Sequence, residues 1–321
     1  MPATRKHILV VGFSVTADTP GYVEAAARLP QVSDCSRLEK IGIGGIHLPQ
    51  LKFLMPGLLE EHRPDLVILE IATSAIRMSR QWMAVYGDLL DDLLDCCRAR
   101  GVGIAILDLP RHDVDYATDA LVAHHAAICA RLGISYARVE LRPDLLRDGV
   151  HPSPAGHAHY AAALLDLVEK CDAASIPDWA PHDPPFRALE ITSLVRPDRA
   201  RYPYRRAGYQ VDMVRSDPDE PIRVTIPDGW QIVGLSYLIG PRSGRIRISD
   251  AVAERRMAVY DQHSYYERFG ATVFAGLPGP DIVVEQLPEM PGVALLKGEP
   301  DTSARVGYLA HVFVAKAFGH G

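Results

Sequence analysis

Five short, near-continuous apolar runs, at residues 7–11, 38–43, 66–71, 103–109 and 135–141, alternate with helix-patterned stretches through the first half of the chain. A strand that is apolar along its whole length, and not only at alternate residues, is covered on both faces. Strands of that kind, each followed by a helix, pack as a parallel sheet between two helical layers. The intervening stretches fit. Between 79 and 100, Trp82, Val85, Tyr86, Leu89, Leu93 and Cys96 recur at three- and four-residue steps and form one apolar stripe, which Gly101 ends. A second helix is expected at 117–131, closed by Gly133. A third is expected at 154–170, with Ser153 as N-cap and Pro154 in the first turn, where its missing N–H costs nothing.

The pattern changes near residue 174. Pro177, Pro181, Pro184 and Pro185 crowd the segment 175–187, a linker composition. Beyond it lie eight short β-type runs, at 210–214, 222–226, 230–239, 245–248, 257–260, 271–274, 281–284 and 305–314. Turn residues such as Pro227-Asp228-Gly229 and Gly279-Pro280 separate many of them. This spacing predicts an antiparallel β-sandwich or jelly roll. The organisation expected is therefore an α/β domain at 1–174, a linker at 175–187 and a β-rich accessory domain at 188–321. Eight of the 13 tyrosines fall between Tyr202 and Tyr308, in keeping with strand propensity.

Lys and Arg number 34 against 40 Asp and Glu, a formal charge of −6, which excludes nucleic-acid binding driven by bulk charge. No run approaches the ~18 apolar residues of a membrane span, and 7–11 is too short for a signal-peptide core. A cytoplasmic protein with no membrane partner is expected. The five cysteines, Cys35, Cys96, Cys97, Cys129 and Cys171, are odd in number and contain no Cys-x-x-Cys pair, so they read as buried, reduced thiols. His124-His125, His151, His157 and His159 lack a metal-ligand frame, and no metal or cofactor is expected. His157 shares a stripe with Ala161, Leu164 and Val168 and is expected to pack within its helix.

In an open α/β sheet the ligand crevice lies at the carboxyl ends of the strands. The residues expected there are Gly12-Phe13-Ser14, Gly44-Gly45-Ile46-His47, Ala72-Thr73-Ser74, Arg111-His112-Asp113 and Asp148-Gly149-Val150-His151-Pro152. A serine hydroxyl becomes nucleophilic when a base removes its proton, and an imidazole is that base. A carboxylate on Nδ1 holds the imidazole in one tautomer. Asp148 stands three residues before His151, close enough for one turn to set that contact. Backbone N–H groups at Ser14 and at a glycine after the second strand would face a developing oxyanion.

In these blocks the chain resembles the SGNH, or GDSL-type, hydrolases. Val10-Val11-Gly12-Phe13-Ser14 is similar to their first block, with Phe13 in place of the usual Asp. Gly45 resembles the second-block glycine, with Gly44 as the alternative. Residues 64–74 resemble the third block, but Ser74 stands where the family has asparagine. Asp148-Gly149-Val150-His151-Pro152 with Gly156 is similar to the fifth block. The resemblance spans roughly residues 6–170.

The resemblance implies a flavodoxin-like three-layer sandwich, a Ser14–Asp148–His151 triad, and ester or acyl-transfer chemistry without a cofactor. It also implies an oxyanion hole of Ser14, Gly45 and Ser74, with His47 or Arg77 as further substrate-binding candidates. The partner it implies is a small-molecule or glycan ester, acetyl groups on carbohydrate being the class most suggested; lipid esters, thioesters and acyl transfer to a sugar stay open. A catalytically degenerate scaffold that binds carbohydrate or protein is the alternative.

Overall fold

The computed structural model describes residues 6–33, 36–75, 83–171, 182–277 and 279–317. The chain forms two compact units, the first running to Pro184 together with Arg206–Tyr209, the second comprising Pro185–Arg205 and the residues from Gln210 onward.

In the first unit the order is β1 (Lys6–Gly12), α1 (Tyr22–Ala27), α2 (Pro30–Ser33), β2 (Ser36–Gly42), α3 (Leu48–His62), β3 (Leu66–Glu70), α4 (Ala72–Ala75), α5 (Met83–Arg98), β4 (Gly103–Asp108), α6 (Ala120–Leu132), β5 (Ser135–Arg138) and α7 (Pro154–Lys170). All five strands are parallel, in the order β2-β1-β3-β4-β5. This is the flavodoxin-like strand order.

The central strands β1, β3 and β4 are buried on both faces over most of their length, as their sequence requires, while the edge strands β2 and β5 are only partly covered. Ile8, Val10, Ile68, Ala105 and Leu107 pack into one cluster with Tyr22 and Val23 of α1 and Tyr160, Leu164 and Leu167 of α7. The alternating Leu9, Val11, Val67, Leu69 and Ile106 are equally inaccessible to solvent. The expected strands and helices are present with ends moved by a few residues. α5 is described from Met83, so the expected start at 79 lies outside the described residues. α1 was not anticipated, because it is six residues long and too short to display a period.

α7 begins as expected. Ser153 Oγ accepts the N–H of Gly156 at 3.1 Å, and Pro154 occupies the first turn. The glycine has a steric cause: a Cβ at residue 156 would lie 2.1 Å from the Leu145 carbonyl oxygen. Four of the cysteines, Cys96, Cys97, Cys129 and Cys171, are buried free thiols, and burial pushes the thiols of Cys96 and Cys129 up to about 12. Cys35 lies outside the described residues.

Among its described residues the second unit consists of β-strands, whose registered pairs are antiparallel, and the four-residue α8 (Ile191–Leu194). Its strands are β6 (Phe186–Glu190), β7 (Arg201–Arg206), β8 (Tyr209–Ser216), β9 (Ile222–Thr225), β10 (Trp230–Ile239), β11 (Arg245–Ser249), β12 (Glu254–Ala258), β13 (Arg268–Leu277), β14 (Asp281–Leu287) and β15 (Gly307–Lys316). One sheet runs β13-β10-β15-β8-β7 with β6 also on β15; the other runs β12-β11-β14-β9. Both contribute to a single core, with Leu235, Val312 and Val314 from the first and Ile222, Ile246 and Val284 from the second. Two strands escaped the sequence reading. β6 begins inside the expected linker, and β7, Arg-Tyr-Pro-Tyr-Arg-Arg, carries three arginines and a proline that mask its alternation. Tertiary pairing on β15 makes β6 a strand despite the prolines before it.

Candidate active site

Ser14 follows β1 in a turn closed by the Ala17 N–H donating to the Phe13 carbonyl at 2.9 Å. Gly12, which precedes the turn, faces Gly42 of β2 and Glu70 of β3 across the sheet. A Cβ at residue 12 would meet Thr16 Oγ1 at 2.2 Å and the Glu70 carbonyl at 2.8 Å, so the turn folds back only over a glycine. Ser14 is half-buried in the turn.

Asp148 and His151 meet as their spacing predicts. Asp148 Oδ1 accepts the backbone N–H groups of Val150 at 2.8 Å and His151 at 2.7 Å, and His151 Nδ1 lies 3.0 Å from Asp148 Oδ2. Partial burial raises the Asp148 carboxyl, but these hydrogen bonds outweigh it and hold the group below its ordinary value. The carboxylate therefore stays ionised. It can hold a proton on Nδ1 and leave Nε2 free to act as base. The His151 ring is 29% exposed, so it is open to a substrate.

Gly44 and Gly45 differ in placement. A Cβ at Gly44 would sit 3.8 Å from both Cα and Cβ of Ser14, whereas Gly45 is exposed and takes φ +90°, a left-handed conformation that favours glycine. His47 caps α3, and its ring centroid lies 6.4 Å from that of Phe13. Ser74 is brought to His47: its Oγ is 2.7 Å from His47 Nδ1 and 3.3 Å from the Ile46 carbonyl. Ser74 Oγ donates to the Ile46 carbonyl or to His47 Nδ1, or accepts from a protonated Nδ1, as the His47 tautomer dictates. Arg77 lies outside the described residues.

The structure also joins the loops at this sheet edge, in part through Asp18, Arg147, Thr16 and Glu70, none of which was expected at the site. Asp18 Oδ1 accepts from Arg147 Nη2 at 2.9 Å, and Arg147 N–H donates to the His151 carbonyl at 2.9 Å. His157, expected to pack on its helix, has a side chain only 15% exposed, and its Nε2 also lies 3.4 Å from Asp18 Oδ2. Burial raises the Asp18 carboxyl, and His157 and Arg147 overcome that and hold it below its ordinary value. The His112 N–H donates to the Gly149 carbonyl at 3.0 Å. Arg111 forks onto Asp113 at 2.9 and 2.7 Å and donates to the Thr73 carbonyl at 2.7 Å. Glu70, fully buried, accepts from Thr16 Oγ1 at 3.0 Å and Thr73 Oγ1 at 2.6 Å. A polar residue at the end of an apolar run was the available signal for Glu70; nothing local pointed to Asp18 or Arg147.

Asp108, which ends β4, and His125 of α6 are both fully buried. His125 Nδ1 lies 2.8 Å from Asp108 Oδ1, its Nε2 lies 2.7 Å from the Tyr86 hydroxyl, and Tyr136 donates to Asp108 Oδ2 at 2.9 Å. The adjacent His124 is partly buried, and both histidine rings pack on Tyr86, with centroids 6.4 Å away for His124 and 5.7 Å for His125.

Solved structures similar to the first half of the chain were found. Its fold neighbours are GDSL-type lipases and esterases. A GDSL-like lipase from Bacteroides thetaiotaomicron is 16% identical, covering 51% of this chain and 88% of its own, with a TM-score of 0.41. The psychrotrophic esterase EstA from Pseudoalteromonas is 16% identical, covering 51% and 97%, with a TM-score of 0.43. A carbohydrate esterase family 3 protein from Talaromyces cellulolyticus is 18% identical, covering 52% and 100%, with a TM-score of 0.41. The β-rich unit lies outside these matches. No family model matches the chain, and no curated protein does. Among the described residues, no helix is long and apolar enough to cross a membrane.

Proposed function

We propose that this protein is a serine hydrolase of carboxylic esters, with Ser14 as nucleophile, His151 as general base and acid, and Asp148 as the group that orients His151. The observation that carries the reading is the 3.0 Å contact of Asp148 Oδ2 with His151 Nδ1, made by a carboxylate already braced by two backbone N–H groups. In the reaction, His151 Nε2 takes the Ser14 hydroxyl proton as Ser14 Oγ bonds to the acyl carbon. The proton then passes to the leaving alcohol oxygen as the ester C–O bond breaks. Water hydrolyses the acyl-serine by the same steps in reverse.

The oxyanion is held by the backbone N–H of Ser14 and of Gly45, with Gly44 as the alternative, and by the Ser74 hydroxyl once it turns from His47. His47 is a further candidate for substrate binding; Arg77, the other candidate from the sequence, lies outside the described residues. The substrate class proposed, on the family resemblance of the sequence blocks, is an acetyl or other short acyl ester on a carbohydrate, with transfer to an acceptor as a variant of the same chemistry. A serine-reactive fluorophosphonate tests the assignment. Labelling of the wild type, lost in Ser14→Ala, is expected together with release of acetate from a small acetyl ester. The absence of both would favour a non-catalytic binding scaffold, a reading to which Ser74, in place of the family asparagine, lends weight.

A further inference from the structure

We propose that Glu70 is a positioning residue that ties the nucleophile turn to α4, which carries Ser74, through the hydroxyls of Thr16 and Thr73. The proposal rests on the assignment of Ser14 as nucleophile and goes beyond it, because Glu70 touches no reacting atom.

Glu70 ends the run Leu-Val-Ile-Leu-Glu, every residue of which is buried. An apolar side chain would be the cheaper occupant of that site, since a carboxylate buried away from water is unfavourable until its oxygens are satisfied. Here each oxygen has its own partner. Oε2 takes the hydroxyl of Thr16, two residues after Ser14, and Oε1 takes the hydroxyl of Thr73, the residue before Ser74. Thr16 is fully buried and Thr73 is 2% exposed, so water does not compete for either bond.

Each threonine is fixed on its other side as well. Thr16 Oγ1 lies 3.0 Å from the Tyr22 hydroxyl of α1, and the Thr73 carbonyl accepts from Arg111. The glycine at residue 12 lets Thr16 approach this closely. One carboxylate thereby sets the separation of the turn after β1 and of α4, which must present the nucleophile and the oxyanion donor at the same carbonyl. Small displacements of such groups are expensive in rate. A hydrogen-bonded strut in a dry interior resists displacement better than an exposed ion pair.

The test uses the full chain and a small acetyl ester. Thr16→Val and Thr73→Val keep side-chain shape and remove one hydroxyl each. Each is expected to lower kcat by roughly tenfold with KM within about twofold, because the loss falls on transition-state geometry. Thr16→Ser and Thr73→Ser, which restore the hydroxyl, should recover most of the rate. Since both act through one carboxylate, the double valine variant should be no slower than the slower single. Should a valine variant fail to fold, Thr16→Ala and Thr73→Ala carry the same comparison against serine. Folded variants with wild-type kcat, or losses that multiply, would overturn the proposal. Fluorophosphonate labelling separates the two levels. A wild type that labels at Ser14 while the threonine variants label and turn over equally fast defeats the strut alone. A wild type that neither labels nor turns over defeats the hydrolase reading, and the strut falls with it.

Discussion

Arg147 reaches across from the loop that carries His151 to place its Nη2 2.9 Å from Oδ1 of Asp18, in the loop that carries Ser14. The two residues are 129 positions apart in the chain. Arg147 is half exposed and Asp18 is 17% exposed, so the pair contributes little to stability, on the order of 1 kcal/mol or less. Its consequence is the relative placement of two loops. Arg147→Met is expected to leave thermal unfolding nearly unchanged and to lower kcat by roughly tenfold, by the sensitivity of rate to misplacement. Melting curves and turnover on the same sample check this. An unchanged kcat would reduce the pair to surface decoration.

For the triad, Ser14→Ala and His151→Ala should abolish turnover of a small acetyl ester, and Asp148→Asn should reduce it severely. Groups that act as a unit give losses that do not multiply, so the Ser14/His151 double variant should be no slower than either single. Ser14→Ala with wild-type kinetics would refute the nucleophile.

Ser74→Ala should lower kcat by roughly 10²–10³-fold with little change in KM, the loss expected for one oxyanion donor. Ser74→Asn tests the same position from the other side, since an amide N–H reaches further than a hydroxyl. Steady-state kinetics on both variants decides the matter: if neither change moves kcat, the hydroxyl serves His47 and the Ile46 carbonyl only.

Burial pushes the Glu70 carboxyl up to about 7 against the pull of the Thr73 and Thr16 hydroxyls, and Asp108 adds to the rise. The folded protein therefore binds this proton more tightly than the unfolded chain does between about pH 4.5 and 7. Stability contributed at Glu70 is present below that window and is lost as pH rises through it. Glu70→Gln removes the slope. Relative to wild type, the variant should gain up to about 3 kcal/mol on going from pH 4.5 to pH 8, at ~1.4 kcal/mol per pK unit. Urea unfolding of both proteins at the two pH values measures it; a constant difference would mean that Glu70 is not shifted.

Limited proteolysis should cut within residues 175–187, the proline-rich segment with the composition of a linker. Mass spectrometry of the fragments locates the cut. Cleavage confined to 245–314 would misplace the proposed boundary.

Much of the α/β half was legible in the sequence, because its signals are local. Apolar runs such as Ile8–Val11, alternating with helix-patterned stretches, suit a parallel sheet covered on both faces, and Ser153 with Pro154 is a local helix-start signal. The Asp148–His151 contact is likewise written in a three-residue spacing that one turn closes. β6 and β7 were not legible, since one follows a run of prolines and the other is mostly charged, and pairing within the sheet made them strands. Nor was any link between distant loops. Asp18 with Arg147, Ser74 with His47, and Glu70 between Thr16 and Thr73 are meetings of residues 27 to 129 positions apart, Thr73 with Glu70 excepted. Periodicity and capping depend on neighbours within a turn or a strand and are set by the sequence itself. The partner of a buried carboxylate or a surface arginine depends on which loops the sheet order β2-β1-β3-β4-β5 brings to one edge, and only the folded chain decides that.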